Sequence, residues 1–204
     1  VYGANKLVKD DATRQKWNEA IAKQYPSDYR ALNNMAQQAI SKGDMTAAQN
    51  YLKQAANVNK NASEVNTNLA LMALKSGDVA KAETYLSKGT GSDTFKEVMG
   101  NLNIAKGNYT QAASDLAGVN TNSAALAQIL AKDYTSAKTT LSKIKNADAT
   151  TSYLQAVLAA RTGDASALSS SLKNAIQQDG TLAARAAKDL EFAKYANVVK
   201  NLVK

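Results

Sequence analysis

Side chains that commonly carry out catalysis are scarce in this chain. It contains no cysteine and no histidine, which excludes cysteine nucleophiles, Cys/His zinc sites and a Ser-His-Asp triad. Asp10 and Asp11 are adjacent, and successive residues on a helix do not face each other, so they fit an N-cap and a first-turn acid better than a catalytic pair. The segment 88–91 (KGTG) follows a helical pattern, whereas a phosphate-binding loop follows a strand. We therefore predict no enzyme activity, no cofactor and no metal site.

Asparagine and glutamine are the side chains that offer binding chemistry. Each amide both donates and accepts hydrogen bonds, so it can pair with the backbone N–H and C=O of an extended peptide whatever the peptide's sequence. The segment 29–61, YRALNNMAQQAISKGDMTAAQNYLKQAANVNKN, is rich in them. The alternative is that these residues only keep an exposed face soluble.

The composition predicts an all-α protein. Strong helix formers are abundant, 45% of the residues are apolar, and Pro26 is the single proline. No apolar run approaches the roughly 20 residues of a membrane-spanning helix. The net charge of +8 is spread along the 204 residues, whereas nucleic-acid binding would concentrate it on one face. A solvated surface is therefore favoured over a nucleic-acid partner.

Small and apolar residues recur at fixed distances from five turn positions. The turn positions are Gly43, Gly77, Gly107, Lys132 and Gly163. Seven residues earlier stand Ala36, Ala70, Gly100, Ala125 and Ala156. Five residues later stand Ala48, Ala82, Ala112, Ala137 and Leu168, and nine residues later stand Leu52, Leu86, Leu116, Leu141 and Leu172. Small residues let antiparallel helices approach closely, and leucine fills the groove between successive pairs, so the pattern predicts five helical hairpins.

The turns themselves have a repeated sequence. Glycine takes the left-handed conformation that ends the first helix of a hairpin. The following residue can cap the second helix, and these predicted caps are Asp44, Asp78, Asn108 and Asp164. Lys132 replaces the glycine in the fourth hairpin, so we expect a strained or differently closed turn there.

The chain resembles the tetratricopeptide repeat family, whose repeat is a first helix (helix A), a tight turn and a second helix (helix B). The step from Gly43 to Gly77 is 34 residues, which is the period of that family. The family's helix-A tryptophan is absent from every repeat. The resemblance implies a right-handed α-solenoid of antiparallel helix hairpins. The matching residues of the first complete repeat are Ala36, Gly43, Asp44, Met45, Ala48, Leu52 and Ala55.

The repeats predict one solenoid over residues 1–204. Residues 1–28 would form a partial leading repeat, with the end of a helix A at 1–9 and a helix B at 11–25. Five repeats would follow at 29–62, 63–92, 93–117, 118–148 and 149–180. The interval of 25 residues between Gly107 and Lys132 is too short for two full helices with normal loops. We therefore expect a short helix B followed by a loop over 115–122, and an irregular fourth repeat.

Residues 181–204 would form one or two helices that cap the solenoid, because a terminal repeat needs a polar outer face. A membrane-binding amphipathic helix is the alternative, although this segment contains no tryptophan. Its predicted apolar positions are Leu182, Ala186, Leu190, Ala193, Val198 and Leu202.

The resemblance also implies a peptide-binding groove lined by the A helices. The predicted peptide-binding residues are Arg30, Asn33, Asn34, Gln37, Asn68, Leu71 and Asn101. Chaperone-binding members of the family hold a C-terminal carboxylate with a clamp of five side chains. Of its five positions only Asn68 matches, because the others hold Asn33, Gln37, Thr94 and Val98. We therefore expect no carboxylate clamp.

These features favour a non-catalytic scaffold or adaptor that binds a peptide or partner protein of unknown identity. The alternatives are a structural spacer that supports a domain upstream of Val1, and a nucleic-acid-binding helical repeat, which Glu64 and Glu97 in the groove disfavour. The similarity to tetratricopeptide proteins of the bacterial cell envelope, with the absence of cysteine, favours a periplasmic or outer-membrane-attached location over the cytoplasm. Since the sequence begins at Val1 inside a helical pattern, a signal peptide, lipid anchor or further domain is compatible with it.

Overall fold

The computed structural model describes residues 10–203, and all regular structure in this range is helical. The predicted all-α class is therefore confirmed. None of the described helices combines the length and the apolar character needed to cross a membrane. The helix end predicted at residues 1–9 lies outside the described residues. The helices are α1 Asp11–Gln24, α2 Tyr29–Ser41, α3 Met45–Val58, α4 Ser63–Lys75, α5 Val79–Leu86, α6 Asp93–Ala105, α7 Tyr109–Asp115, α8 Asn122–Leu130, α9 Tyr134–Lys143, α10 Ala149–Thr162, α11 Ala165–Gln178, α12 Leu182–Ala186 and α13 Ala196–Leu202, with a 3₁₀-helix at Leu190–Tyr195 before α13.

The residues at the repeated positions form the core of the hairpins. The helices of the pairs α2/α3, α4/α5, α8/α9 and α10/α11 pack against each other. Each helix of the first three pairs contributes a fully buried alanine, and a side chain that ends at Cβ lets the two backbones approach closely. The fourth pair has Ala156 and Leu168 at these positions. The leucine that follows each pair is at most 4% exposed. The alanines at the repeated positions all have 0% exposure, and they are Ala36, Ala48, Ala70, Ala82, Ala112, Ala125, Ala137 and Ala156.

The predicted turn conformation is present at each turn glycine, with φ between 78° and 85° at Gly43, Gly77, Gly107 and Gly163. The aspartate after the glycine caps the next helix in three cases. Asp44 accepts a hydrogen bond from the Ala47 N–H at 3.0 Å, and Asp78 and Asp164 make the equivalent bonds. Asn108 stands at the same position before α7 but does not make this cap bond, so the predicted cap is wrong there.

The turn at Lys132 closes in the same way as the glycine turns. The Asp133 N–H donates to the Gln128 carbonyl at 2.9 Å, as the Asp44 N–H donates to the Ala39 carbonyl at 2.9 Å. Lys132 itself has φ 64°, a left-handed conformation that costs a residue with a Cβ free energy. Of the two expectations for this turn, the structure therefore supports strain and not a different closure.

The short interval between the turns at Gly107 and Lys132 also has the predicted structure. Helix α7 is only 7 residues long and ends at Asp115. A loop follows, in which Gly118 has φ 79°, and α8 begins at Asn122. The shortened helix B and its loop are thus confirmed.

The chain divides into two compact units, with the boundary between Lys106 and Gly107. The N-terminal unit contains α1–α6 and has two apolar clusters, one around Leu52 and Val65 and one around Leu86 and Val98. The C-terminal unit contains α7–α13 and has a larger cluster that includes Leu172. The repeat boundaries given above stay predictions.

The last segment of the C-terminal unit, residues 181–203, covers part of the apolar cluster of that unit. Phe192 and Val199 are 2% and 3% exposed, and the Phe192 ring meets the Tyr153 ring edge-on with centroids 5.5 Å apart. The predicted apolar positions were wrong at Leu190, which is 88% exposed, and at Ala193, which is also exposed. The reason is the 3₁₀-helix, whose three residues per turn shift the buried face away from the positions that an α-helix would bury.

Candidate functional site: an amide-lined cavity

The N-terminal unit contains a cavity of about 630 Å³ between α1, α2, α4 and the start of α6. We call it the amide cavity, because its most common lining group is the side-chain amide. Its charged lining residues are Asp11, Arg14 and Lys42, and its apolar residues include Leu71. The lining amides are Gln15, Asn18, Asn34, Gln37, Gln38 and Asn68.

Helix α1 forms one wall of the amide cavity. Asp10 caps it by accepting a hydrogen bond from the Thr13 N–H at 2.8 Å, and hydrogen bonds from the Thr13 side chain and backbone lower the pKa of Asp10. Asn18 and Ile21 are the buried residues of this helix. The Lys42 ammonium, at the end of α2, donates to Gln15 Oε1. This bond ties α1 to α2 across the cavity.

A buried pair of asparagines connects α2 to α4 at the amide cavity. Asn68 Nδ2 donates to Asn33 Oδ1 at 2.8 Å, and the two residues are 2% and 4% exposed. A buried amide needs such a partner, because an unsatisfied one loses its hydrogen bonds to water without replacement. The pair therefore holds Asn68 in a defined orientation at the cavity wall.

The structure brings four of the seven predicted peptide-binding residues together. Asn34, Gln37, Asn68 and Leu71 all line the amide cavity. Asn33 is buried and reaches the cavity only through its bond to Asn68.

Two predicted residues lie elsewhere in the N-terminal unit. Arg30 is exposed at the start of α2 and forms an ion pair with Asp28 at 3.0 Å. Asn101 is half-buried on α6 and does not line the cavity. Among the clamp positions considered above, Thr94 lines the cavity and Val98 is 1% exposed in the apolar core.

Sequence reasoning missed the residues that α1 contributes, and it missed Gln38. Asp11, Arg14, Gln15 and Asn18 recur at spacings of three and four residues, which places them on one face of α1. That spacing was visible in the sequence. A polar helix face usually meets solvent, however, so the pattern alone did not indicate a cavity wall.

The C-terminal unit has a cavity of different character, about 470 Å³ in volume, between α8, α10 and the last segment. Three of its polar side chains contact one another. The Tyr153 hydroxyl donates to Asp189 Oδ2 at 2.7 Å, and burial together with this bond raises the pKa of Tyr153 well above its ordinary value. The Arg185 guanidinium lies 4.9 Å from the Tyr153 ring centroid. These contacts hold the last segment in place.

An ion pair next to this cavity has the same structural effect. Arg161 Nε donates to Glu191 Oε2 at 2.8 Å, and its Nη1 donates to the Ile129 carbonyl at 3.0 Å. Hydrogen bonding to Glu191 raises the pKa of Arg161 further above its already high value. The pair joins α10 to the 3₁₀-helix.

Comparison with known proteins agrees with this architecture. Residues 29–61 match the family model described as tetratricopeptide repeat. A search of curated protein sequences finds no match. Among solved structures, the chain is similar to a tetratricopeptide repeat protein from Parabacteroides merdae, with a TM-score of 0.59, 14% identity, and coverage of 94% of this chain and 76% of the other.

A second solved structure is similar over nearly its full length. This is PilW, a widely conserved type IV pilus biogenesis factor, with a TM-score of 0.60, 17% identity, and coverage of 90% of each chain. The hairpins with buried alanines, the left-handed turns and these similarities lead to one conclusion: the chain carries a tetratricopeptide repeat at residues 29–61 and has the fold of tetratricopeptide repeat proteins.

Proposed function

We propose that this protein is a non-catalytic interaction module that binds an extended peptide segment of a partner in the amide cavity. The observation that carries the proposal is the convergence of six side-chain amides, from α1, α2 and α4, on one cavity. The fold supports it as well, because tetratricopeptide repeat proteins generally mediate protein–protein interactions.

The charges of the cavity favour a neutral ligand group. Arg14 forms an ion pair with Asp11 at 2.9 Å, and Lys42 donates to Gln15. The Arg14 charge is therefore balanced by a carboxylate, Lys42 is already hydrogen-bonded to an amide, and amides provide most of the remaining polar lining. Peptide backbone is neutral and alternates donors and acceptors, which suits amides better than a carboxylate or phosphate does.

A bacterial envelope location is part of the same proposal. The absence of cysteine is compatible with it, and so is a fold shared with a pilus biogenesis factor. Cell fractionation of the native bacterium, followed by detection with an antibody against this chain, tests the location. Recovery in the cytoplasmic fraction alone contradicts it.

The binding proposal predicts loss of peptide affinity when cavity amides are removed. The protein is applied to an array of random immobilised 12-residue peptides, and affinities are measured for those that bind. Replacing Asn34 and Gln37 together by Ala should weaken binding about tenfold or more, because each amide contributes about 0.5–1.5 kcal/mol through its hydrogen bonds. Both side chains line the cavity, and the Asn33–Asn68 pair is untouched.

A matched control removes two amides outside the cavity. Asn50 and Gln54 are exposed on α3, so replacing both by Ala should leave peptide affinity unchanged. If wild-type protein binds no peptide on the array, or if the cavity variant binds as well as wild type, the peptide-binding proposal is wrong. The structural spacer would then be the better explanation.

A further inference from the structure

We infer that Asn33 is a positioning residue that orients Asn68 so that the amide cavity presents hydrogen-bond acceptors, and that the bound peptide must therefore supply free backbone N–H groups. The inference rests on the proposed peptide-binding function. It adds a chemical requirement: proline or an N-alkylated residue is excluded at the positions that meet these acceptors.

The first acceptor is Asn68 Oδ1. The amide group is planar, with its oxygen and nitrogen on opposite sides. Asn68 Nδ2 is committed to Asn33 Oδ1 at 2.8 Å. This bond uses one of the two N–H groups of Nδ2 and turns that end of the amide towards α2. Because Asn68 also lines the cavity and its Oδ1 is engaged by no donor in the part of the chain that the structure describes, we assign the oxygen as the atom that it offers to a ligand.

The second acceptor is Gln38 Oε1. Gln38 lines the same cavity from α2, and its Oε1 is buried with no hydrogen-bond partner within the described residues. A buried oxygen that accepts no hydrogen bond lowers the stability of the folded protein. A ligand N–H that reaches Gln38 Oε1 would supply the missing hydrogen bond, so the cavity favours a ligand with a donor at this point.

The charges on the wall distinguish between the possible donors. Arg14 and Lys42 line the cavity together with a single carboxylate, Asp11. An ammonium or guanidinium group on the ligand would meet this excess of positive charge. Neutral backbone N–H groups avoid the repulsion, and an extended peptide presents them at regular intervals.

A pair of synthetic peptides tests the donor requirement. The first is acetyl-(Gly-Ala)₃-amide, and the second replaces each glycine by sarcosine, which removes three N–H donors and adds a methyl group at each of these nitrogens. Each is titrated into the uniformly ¹⁵N-labelled chain while the side-chain amide signals of Asn68 and Gln38 are followed by NMR. We expect saturable shifts with the first peptide, and an affinity about tenfold or more lower for the second.

Substitutions at Asn33 test the positioning role in the same titration. Asn33→Leu removes the acceptor that holds Asn68, so affinity for the glycine peptide should fall to that of the sarcosine peptide. Asn33→Asp keeps an acceptor at the same place, so affinity should stay within about threefold of wild type. Asn50→Leu, exposed on α3 outside the cavity, is the matched control and should change nothing.

Asn68→Asp provides a second measurement if Asn33→Leu does not fold. This variant offers only oxygen atoms, so it keeps an acceptor in the cavity and should bind the glycine peptide within about threefold of wild type. A loss of tenfold or more would mean that Asn68 offers its nitrogen to the ligand, which overturns the inference.

The remaining outcomes separate the inference from the proposed function. Equal affinity for the two peptides overturns the donor requirement and leaves the peptide-binding function standing. If Asn33→Asp loses as much affinity as Asn33→Leu, the positioning role is wrong. If neither peptide shifts the Asn68 and Gln38 signals, the binding function of the cavity fails together with the inference.

Discussion

At the scale of the residue, Lys132 is a site of backbone strain. Within residues 10–203 it is the only residue other than glycine with a positive φ, at 64°. Its turn keeps the same hydrogen bond as the glycine turns, so the hairpin geometry imposes the conformation on a side chain that disfavours it. The strain comes from contact between Cβ and the backbone.

Replacing this lysine should therefore stabilise the protein. We expect Lys132→Gly to raise the free energy of unfolding by about 0.5–1 kcal/mol, because relief of the left-handed strain exceeds the extra flexibility of glycine in the unfolded chain. Urea denaturation measures the change. Lys132→Ala keeps the Cβ and serves as control, and a gain as large with alanine would show that strain is not the cause.

Asp148 couples stability to pH at the start of α10. Its carboxylate accepts from the Thr151 N–H at 2.9 Å and from the Asn122 amide at 3.1 Å, so it ties α10 to α8. Burial opposes ionisation, but hydrogen bonds from the Thr151 backbone and from Asn122 outweigh it, and the pKa of Asp148 is lowered. A lowered folded-state pKa stabilises the fold above the unfolded pKa, and the stabilisation is lost as pH falls through the folded pKa.

The expected result is a pH-dependent effect of removing this carboxylate. Asp148→Ala should lower the free energy of unfolding by about 1 kcal/mol at pH 6 through loss of the cap. The deficit should shrink as the pH falls below the unfolded-state pKa of about 3.9 towards the lower folded-state pKa, because the unfolded chain then binds a proton that the folded carboxylate still resists. Asp148→Asn keeps a capping oxygen without a titrating group. A deficit in Asp148→Ala that is constant from pH 6 to pH 2 would contradict the ionic contribution.

At the scale of the element, the hairpins depend on the close approach of two backbones. Ala82 on α5 has 0% exposure and belongs to the same apolar cluster as Ala70 of α4, which is equally buried. Because Ala82 is fully buried where α4 and α5 pack together, a larger side chain must push the helices apart.

Overpacking at this position should cost stability. We expect Ala82→Leu to lower the free energy of unfolding by about 1–3 kcal/mol, measured by thermal or urea denaturation. Ala80 is exposed on the same helix, so Ala80→Leu should change the stability by less than about 0.5 kcal/mol. An unchanged melting temperature for Ala82→Leu would contradict the helix pairing described here.

Helical periodicity predicted only part of the amide cavity. Periodicity predicted α1 and α2 and placed Asn34 and Gln37 on one face of α2. It could not show that the polar face of α1 turns towards that face instead of solvent, because a contact such as Lys42 with Gln15 joins residues 27 positions apart. Asn33 illustrates the same limit, since only the packing of α4 against α2 buries it.

At the scale of the whole molecule, the last segment completes the core of the C-terminal unit. Phe192 belongs to the same apolar cluster as residues of α10 and α11, and Arg161 and Tyr153 hold the segment through Glu191 and Asp189. A hairpin array that ends without a cover exposes the apolar face of its last repeat.

Loss of this cover should destabilise the C-terminal unit. We expect Phe192→Ala to lower the free energy of unfolding by about 3 kcal/mol, because it leaves a cavity in the apolar cluster. Urea denaturation measures the loss. Leu190, two residues earlier and 88% exposed, is the matched control, and Leu190→Ala should be nearly neutral. Equal effects of the two substitutions would show that the segment does not cover the core.

The sequence by itself determined the helical class, the hairpin turns and the positions of close helix contact. Each of these follows from local spacing: a left-handed glycine, a capping aspartate, and alanines seven residues before and five residues after the turn. The tertiary structure alone decided the buried asparagine pair, the wall that α1 contributes, and the exposure of Leu190. These depend on contacts between residues distant in sequence, or on a local change from α- to 3₁₀-geometry, and periodicity contains no information about either.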